Sequence, residues 1–247
     1  MSNTSRILLP LDTDTADKAV DLAVRLKDDV AGFKVGLELI NAAGFDVFER
    51  IYDAAGADAK IFYDCKFHDI PNTVAGASRA AAKRGVWMFN VHASGGSAMM
   101  QAAVQGAAQG AEAGGHSRKP LVLAVTILTS IAPEVLSGEL GVGRDLKDHV
   151  VSLARLAQDS GCDGIVASPH EIAAIREACG PDFVLVIPGV RPAGADVGDQ
   201  KRVMAPGEAV ALGADYLVVG RPVYGAPDPS AAAKAINAEA DAARNNA

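Results

Sequence analysis

Eight short apolar runs recur along the chain, and longer segments that place Ala, Leu, Val and charged residues at helical spacing lie between them. The runs are Ile7 to Leu11, Ala31 to Val35, Ala59 to Asp64, Val86 to Val91, Leu121 to Thr126, Gly164 to Ala167, Val184 to Ile187 and Tyr216 to Val219. Each predicts a strand. Segments such as Thr15 to Lys27, Val74 to Arg84, Ser97 to Glu112, Leu146 to Ser160 and Pro169 to Cys179 predict helices between them. Strands that alternate with helices call for a parallel sheet with crossover helices. Eight such units in about 250 residues predict a TIM (β/α)8 barrel, with residues 1–247 as one α/β domain. An open doubly wound sheet is the alternative, but no G-x-G-x-x-G follows an early strand. Pro10 lies inside the first run, where its missing N–H predicts a local irregularity. Two stretches read as long loops, Ser130 to Gly143 and Gly189 to Arg202, and the second, rich in donors, reads as a lid that closes over an anion.

In such a barrel the active site lies at the C-terminal ends of the strands, so its polar residues can be collected from the sequence. They are Asp12, Lys34, Asp64, Lys66, His92, Thr129, Ser168, Arg191 and Arg221. The densest stretch runs from Asp64 to Thr73 and puts Asp64, Lys66 and Asp69 within six residues of an apolar run. Alternation sends Asp64 and Lys66 to one face, roughly 6 to 7 Å apart, and leaves Asp69 in the loop beyond. Charges at the end of a buried strand cost free energy unless paired, which points to chemistry. The other reading of D-x-K-x-x-D is a solvated turn with a surface ion pair. Gly220-Arg221-Pro222 opens a helix directly after the last strand, the usual phosphate site of this fold. Arg221 can grip phosphate oxygens bidentately and Gln200 can add an amide donor.

Composition narrows the function classes. Apolar residues make up 49% and charged residues 21% of the chain, as in a soluble globular protein. No apolar run reaches the roughly 18 residues of a membrane span, and Met1 to Arg6 lack signal-peptide features, so a cytoplasmic location is expected. Cys65, Cys162 and Cys179 are odd in number and widely spaced, which suits buried packing rather than disulfides or zinc. The formal net charge is −7 and the basic residues form no block, so nucleic acid is not an expected partner. An anionic substrate needs a local basic site instead.

The signature D-x-K-x-x-D-I-P-x-T, present as Asp64 to Thr73, resembles that of the orotidine 5'-phosphate decarboxylases. Leu11-Asp12, Phe33 to Gly36, Val125 to Thr129, Pro188 to Pro192, Gly198 to Gln200 and Val219 to Pro222 extend the resemblance over nearly the whole chain. It implies decarboxylation of orotidine 5'-phosphate to UMP without a cofactor or metal, with Lys66 protonating C6 of the pyrimidine. Lys34, Asp64 and Asp69 are then expected around Lys66 as a charge network. The resemblance also implies a homodimer with shared sites, to which the partner subunit lends the residues equivalent to Asp69 and Thr73. Asp12 and Lys34 are expected at the ribose and Thr129 at the pyrimidine. Arg191, Gln200, Gly220 and Arg221 are expected at the phosphate, with Ile70 and Pro188 as further substrate contacts. His68 and Cys65 read as structural. A metal-dependent sugar-phosphate decarboxylase or aldolase of the same superfamily is the nearest rival, although it needs a carboxylate where Lys34 stands. A catalytically silent nucleotide-binding barrel is the other.

Overall fold

The computed structural model describes residues 5–192 and 204–244. Eight parallel strands pair in chain order and the last closes on the first. They are β1 (Ile7–Pro10), β2 (Gly32–Val35), β3 (Ile61–Phe67), β4 (Met88–His92), β5 (Leu121–Val125), β6 (Gly164–Val166), β7 (Val184–Ile187) and β8 (Tyr216–Val218). Each overlaps one of the eight apolar runs, although β3 continues past its run to Phe67 and β4 to His92. Helices Ala16–Leu26, Pro71–Lys83, Gly96–Ala113, Leu146–Asp159 and Ile172–Cys179 occupy the segments with helical spacing. One loop expectation is corrected: Pro133–Gly138 is helical, started by Pro133 in its first turn and anchored by the buried Leu136.

Alternation along the strands builds two apolar layers. Ile7, Leu9, Phe33, Ile61, Tyr63, Phe89, Val91, Val122, Ala124, Ile165, Leu185 and Leu217 point outward and pack under the helices. Leu8, Phe62, Met88, Leu123 and Val186 point inward and fill the lower barrel. At full burial a side chain of this size contributes about 1.5–3 kcal/mol, so this filled interior is a core and not a channel. One step further up, the inward positions divide. On β2, β3 and β4 they become Lys34, Asp64 and Asn90, whereas on β5, β6 and β8 they remain Val125, Val166 and Val218. One wall of the barrel mouth is therefore polar and the opposite wall apolar.

Two local features shape that mouth. The β3–β4 register runs Phe62 to Met88 and Tyr63 to Phe89, then resumes at Phe67 to Val91, so β3 carries two extra residues and arches over β4. Lys66, in the arch, has φ of 50°, the left-handed region. Pro10 brings no irregularity: it pairs in register with Lys34, and Leu11 N–H continues the ladder to Lys34 C=O at 2.9 Å. By alternation the Pro10 nitrogen faces β8, where the bond from Val219 N–H to Leu8 C=O is already the ladder's last. The missing donor ends a ladder and does not interrupt one. Among the described residues no helix is long and apolar enough to cross a membrane.

Candidate active site

Four charged side chains at the mouth alternate in sign. Lys34 Nζ lies 3.1 Å from Asp12 Oδ1 and 3.4 Å from Asp64 Oδ2, and Lys66 Nζ donates to Asp64 Oδ1 at 2.6 Å. The Asp64 and Lys34 side chains are only 14% and 12% exposed, so their hydration is largely lost. Burial pulls the Lys34 ammonium down, but Asp64 and then Asp12 outweigh it and its pKa is raised. Burial likewise pushes the Asp64 carboxyl up, and Lys34 and Lys66 outweigh that, so its pKa is lowered. Each holds the other ionised. Between Asp64 and Lys66 the Cys65 thiol faces the helices, and burial pushes its pKa up to about 12, which keeps it a neutral packing group.

A cavity of about 180 Å3 opens against this ladder. Lys34, Asp64 and Lys66 form one side of it, Val125, Ile127, Val166 and Val218 line the other, and Thr129 and Pro188 stand at the strand ends. Such a slot suits a flat ring that presents a charged substituent to the ladder. Gly220 and Arg221 follow β8 after Val219, and a side chain at Gly220 would meet Pro10 Cγ at 2.8 Å. That bend is closed to any residue with a Cβ. Arg191, after β7, is tied by its N–H to Met204 C=O at 3.0 Å and by its guanidinium to Val190 C=O at 2.9 Å. Gln200 lies outside the described residues.

The sequence-predicted residues do not all converge. Asp69 Oδ1 accepts the N–H of Ile70 at 2.6 Å, and among the described residues Asp69 pairs with no cation. In this chain Asp12, not Asp69, completes the ladder. Asp69, Ile70 and Thr73 share an exposed patch where the helix Pro71–Lys83 begins, and Ile70 is 66% exposed despite its apolar side chain. Ser168 is buried in a turn, its N–H donating to Glu171 Oε2 at 2.8 Å, and is not among the residues that form the cavity. The rings of His68 and His92 stand 5.5 Å apart. Burial, then the neighbouring His68 and Lys66, lower the His92 pKa.

Asn90 was not among the strand-end polar residues collected from the sequence. Its amide donates to Asp64 Oδ1 at 2.7 Å and its carbonyl accepts the N–H of Lys66 at 2.7 Å. The signal was present: Asn90 stands two residues before His92, on the same inward face of β4. Among the described residues, no three His, Cys, Asp or Glu side chains are grouped to hold a metal ion.

The family model for "Orotidine 5'-phosphate decarboxylase / HUMPS family" matches residues 5–236. The chain belongs to this family. Its members include the orotidine 5'-phosphate decarboxylase of Moorella thermoacetica, 52% identical over 95% of this chain and 91% of that protein. The orotidine 5'-phosphate decarboxylase of Heliobacterium modesticaldum is 48% identical over 96% of both chains. The crystal structure of the orotidine 5'-phosphate decarboxylase from Lactobacillus acidophilus superposes with a TM-score of 0.84 at 39% identity, covering 96% of this chain and 99% of that one. Family membership thus extends over barrel and mouth together.

Proposed function

We propose that the protein decarboxylates orotidine 5'-phosphate to UMP and carbon dioxide, as a cofactor-free step of pyrimidine nucleotide synthesis. The observation that carries this reading is the Lys66 ammonium, held at 2.6 Å by Asp64 on the edge of an apolar slot. The pyrimidine ring occupies the slot with C6 toward Lys66. The bond from C6 to the carboxylate breaks, the electron pair stays on C6, and Lys66 Nζ supplies the proton that makes UMP; water then reprotonates the amine. A carbanion of this kind has no conjugated electron sink, so fixed charge must supply the stabilisation, toward the upper end of the roughly 8–23 kcal/mol that enzymes provide. The Lys34 and Lys66 ammoniums are already held in place by their carboxylates, so little reorganisation is left for the reaction itself.

Asp12 and Lys34 are assigned to the ribose, and Thr129 and Pro188 to the ring. Gly220 and Arg221, with Arg191 and Gln200, are assigned to the phosphate, whose binding energy serves the distant chemistry. Asp69, which pairs with no cation among the described residues, and the exposed Ile70 and Thr73 are assigned to the neighbouring site of a homodimer. The buried, free cysteines suit a reducing, cytoplasmic setting. A metal-dependent sugar-phosphate chemistry is less well supported, because the Lys34 ammonium bridges Asp12 and Asp64, the two carboxylates best placed to bind a cation.

The test is loss of ultraviolet absorbance when purified protein meets orotidine 5'-phosphate in the presence of a chelator. Turnover is expected. No turnover would overturn the proposal, and turnover only after metal is restored would favour the metal-dependent chemistry.

A further inference from the structure

The arch in β3 raises a problem of backbone chemistry. Two extra residues opposite β4 take the Lys66 N–H out of the ladder, and a non-glycine residue at φ of 50° needs support from its surroundings. Asn90, fully buried on the inward face of β4, provides that support. Its Oδ1 accepts Lys66 N–H at 2.7 Å, its Nδ2 donates to Asp64 Oδ1 at 2.7 Å, and its backbone carbonyl accepts from Cys65 Sγ at 3.1 Å. Every residue of the arch is thus bonded to this one asparagine. The orientation of the amide follows from its partners, since a backbone N–H only donates and a carboxylate only accepts.

We propose that Asn90 is a positioning residue for the reaction: its carboxamide clamps the arch so that the Lys66 ammonium and the Asp64 carboxylate face the pocket together. The inference rests on the decarboxylase reading of the same site. A carboxamide fits because it presents one acceptor and one donor at the span of the arch. Alanine removes both bonds. Aspartate keeps the acceptor for Lys66 N–H and sets an anionic oxygen against Asp64. The groups that face Asp64 are Lys34 from β2, Lys66 from β3 and Asn90 from β4, with Asp12 behind Lys34 and His92 further along β4.

The test compares wild type, Asn90→Ala and Asn90→Asp in kcat, KM and calorimetric affinity for UMP. For Asn90→Ala we expect kcat to fall about 100-fold, the scale of a misplacement near 1 Å, with KM and UMP affinity within about threefold because the ring and phosphate contacts are untouched. In Asn90→Asp the acid limb of kcat should move to higher pH, because two adjacent carboxylates compete for one proton. A folded Asn90→Ala protein that binds UMP and keeps kcat within about threefold of wild type would overturn the clamp. If Asn90→Ala does not fold, an unshifted acid limb in Asn90→Asp overturns it instead. Inactivity of the wild type itself would sink only the decarboxylase reading. The clamp is then judged by crystal structures of the wild type and whichever variant folds. It predicts that Lys66 leaves its left-handed φ, or loses its contact with Asp64, in the variant; an unchanged arch overturns it.

Discussion

Lys34 holds two carboxylates with one ammonium, and its removal leaves the more buried of them, Asp64, with Lys66 as its one cation among the described residues. Breaking a buried pair from one side costs about 3–5 kcal/mol, because the remaining charge keeps its desolvation penalty. Lys66 still faces Asp64, so Lys34→Met should destabilise the protein by about 3 kcal/mol in urea unfolding at pH 7. The dependence on pH has a definite sign. The folded pKa of Asp64 lies below its ordinary value near 3.9, so its contribution is present above that pH and is lost as pH falls through the depressed value. The folded pKa of Lys34 lies above its ordinary value near 10.4, so its contribution is present below that pH and is lost as pH rises through the raised value. The difference between variant and wild type should therefore shrink in acid, where Asp64 takes up a proton. A difference that stays constant down to acid pH would mean that the loss is one of packing and not of charge. At this scale Asp64 and Lys66 were legible because charges at a strand end are conspicuous. Asn90 carried only the weaker signal of an inward-facing amide two residues before His92, and one neutral amide does not show its partners in the sequence.

The helices Pro71–Lys83 and Gly96–Ala113 meet through small residues, and the first of them starts directly after Asp69 and Ile70. A Cβ at Gly106 would strike the Ala75 carbonyl oxygen, and one at Gly110 would strike the Arg79 carbonyl oxygen and come within 2.8 Å of Ala82 Cβ. These obstacles are backbone, or side chain with no freedom to move. Intrinsic propensity says that Gly110→Ala should stabilise a helix by about 1 kcal/mol, whereas overpacking of a close contact costs about 1–3 kcal/mol. Packing should win. We expect Gly110→Ala to lower stability by about 2 kcal/mol in urea unfolding, and a gain in stability would show that the two helices can separate freely. The sequence predicted both helices from their spacing, but the pattern of small residues gave no sign of which partner they face.

Asp69, Ile70 and Thr73 lie outside the charge ladder of their own chain, and the proposed homodimer would give them a role. If they complete a neighbouring site, Lys66→Ala and Asp69→Ala proteins are each inactive alone, yet a mixed dimer contains one site with both residues intact. Random exchange of subunits should then restore about a quarter of wild-type activity, because about half of the dimers are mixed and each has one working site. Activity measured before and after the two inactive proteins are mixed checks this. No recovery, with exchange verified by mass, would confine the reaction to a single subunit and return Asp69 to a surface turn.

The sequence by itself determined the barrel, because alternation along strands and the spacing of helices are local properties that tertiary contacts only reinforce. It also determined the chemical types at the mouth, since every strand of a barrel ends at the same face. Tertiary structure alone decided which charges meet. Asp12 joined the ladder and Asp69 stayed outside that of its own chain, because the sheet pairs β1 with β2 and β2 with β3 while the loop after β3 leads away. It also decided the arch: a register shift between two strands is a property of the pair, and neither strand's sequence shows that Lys66 turns left-handed over a buried asparagine.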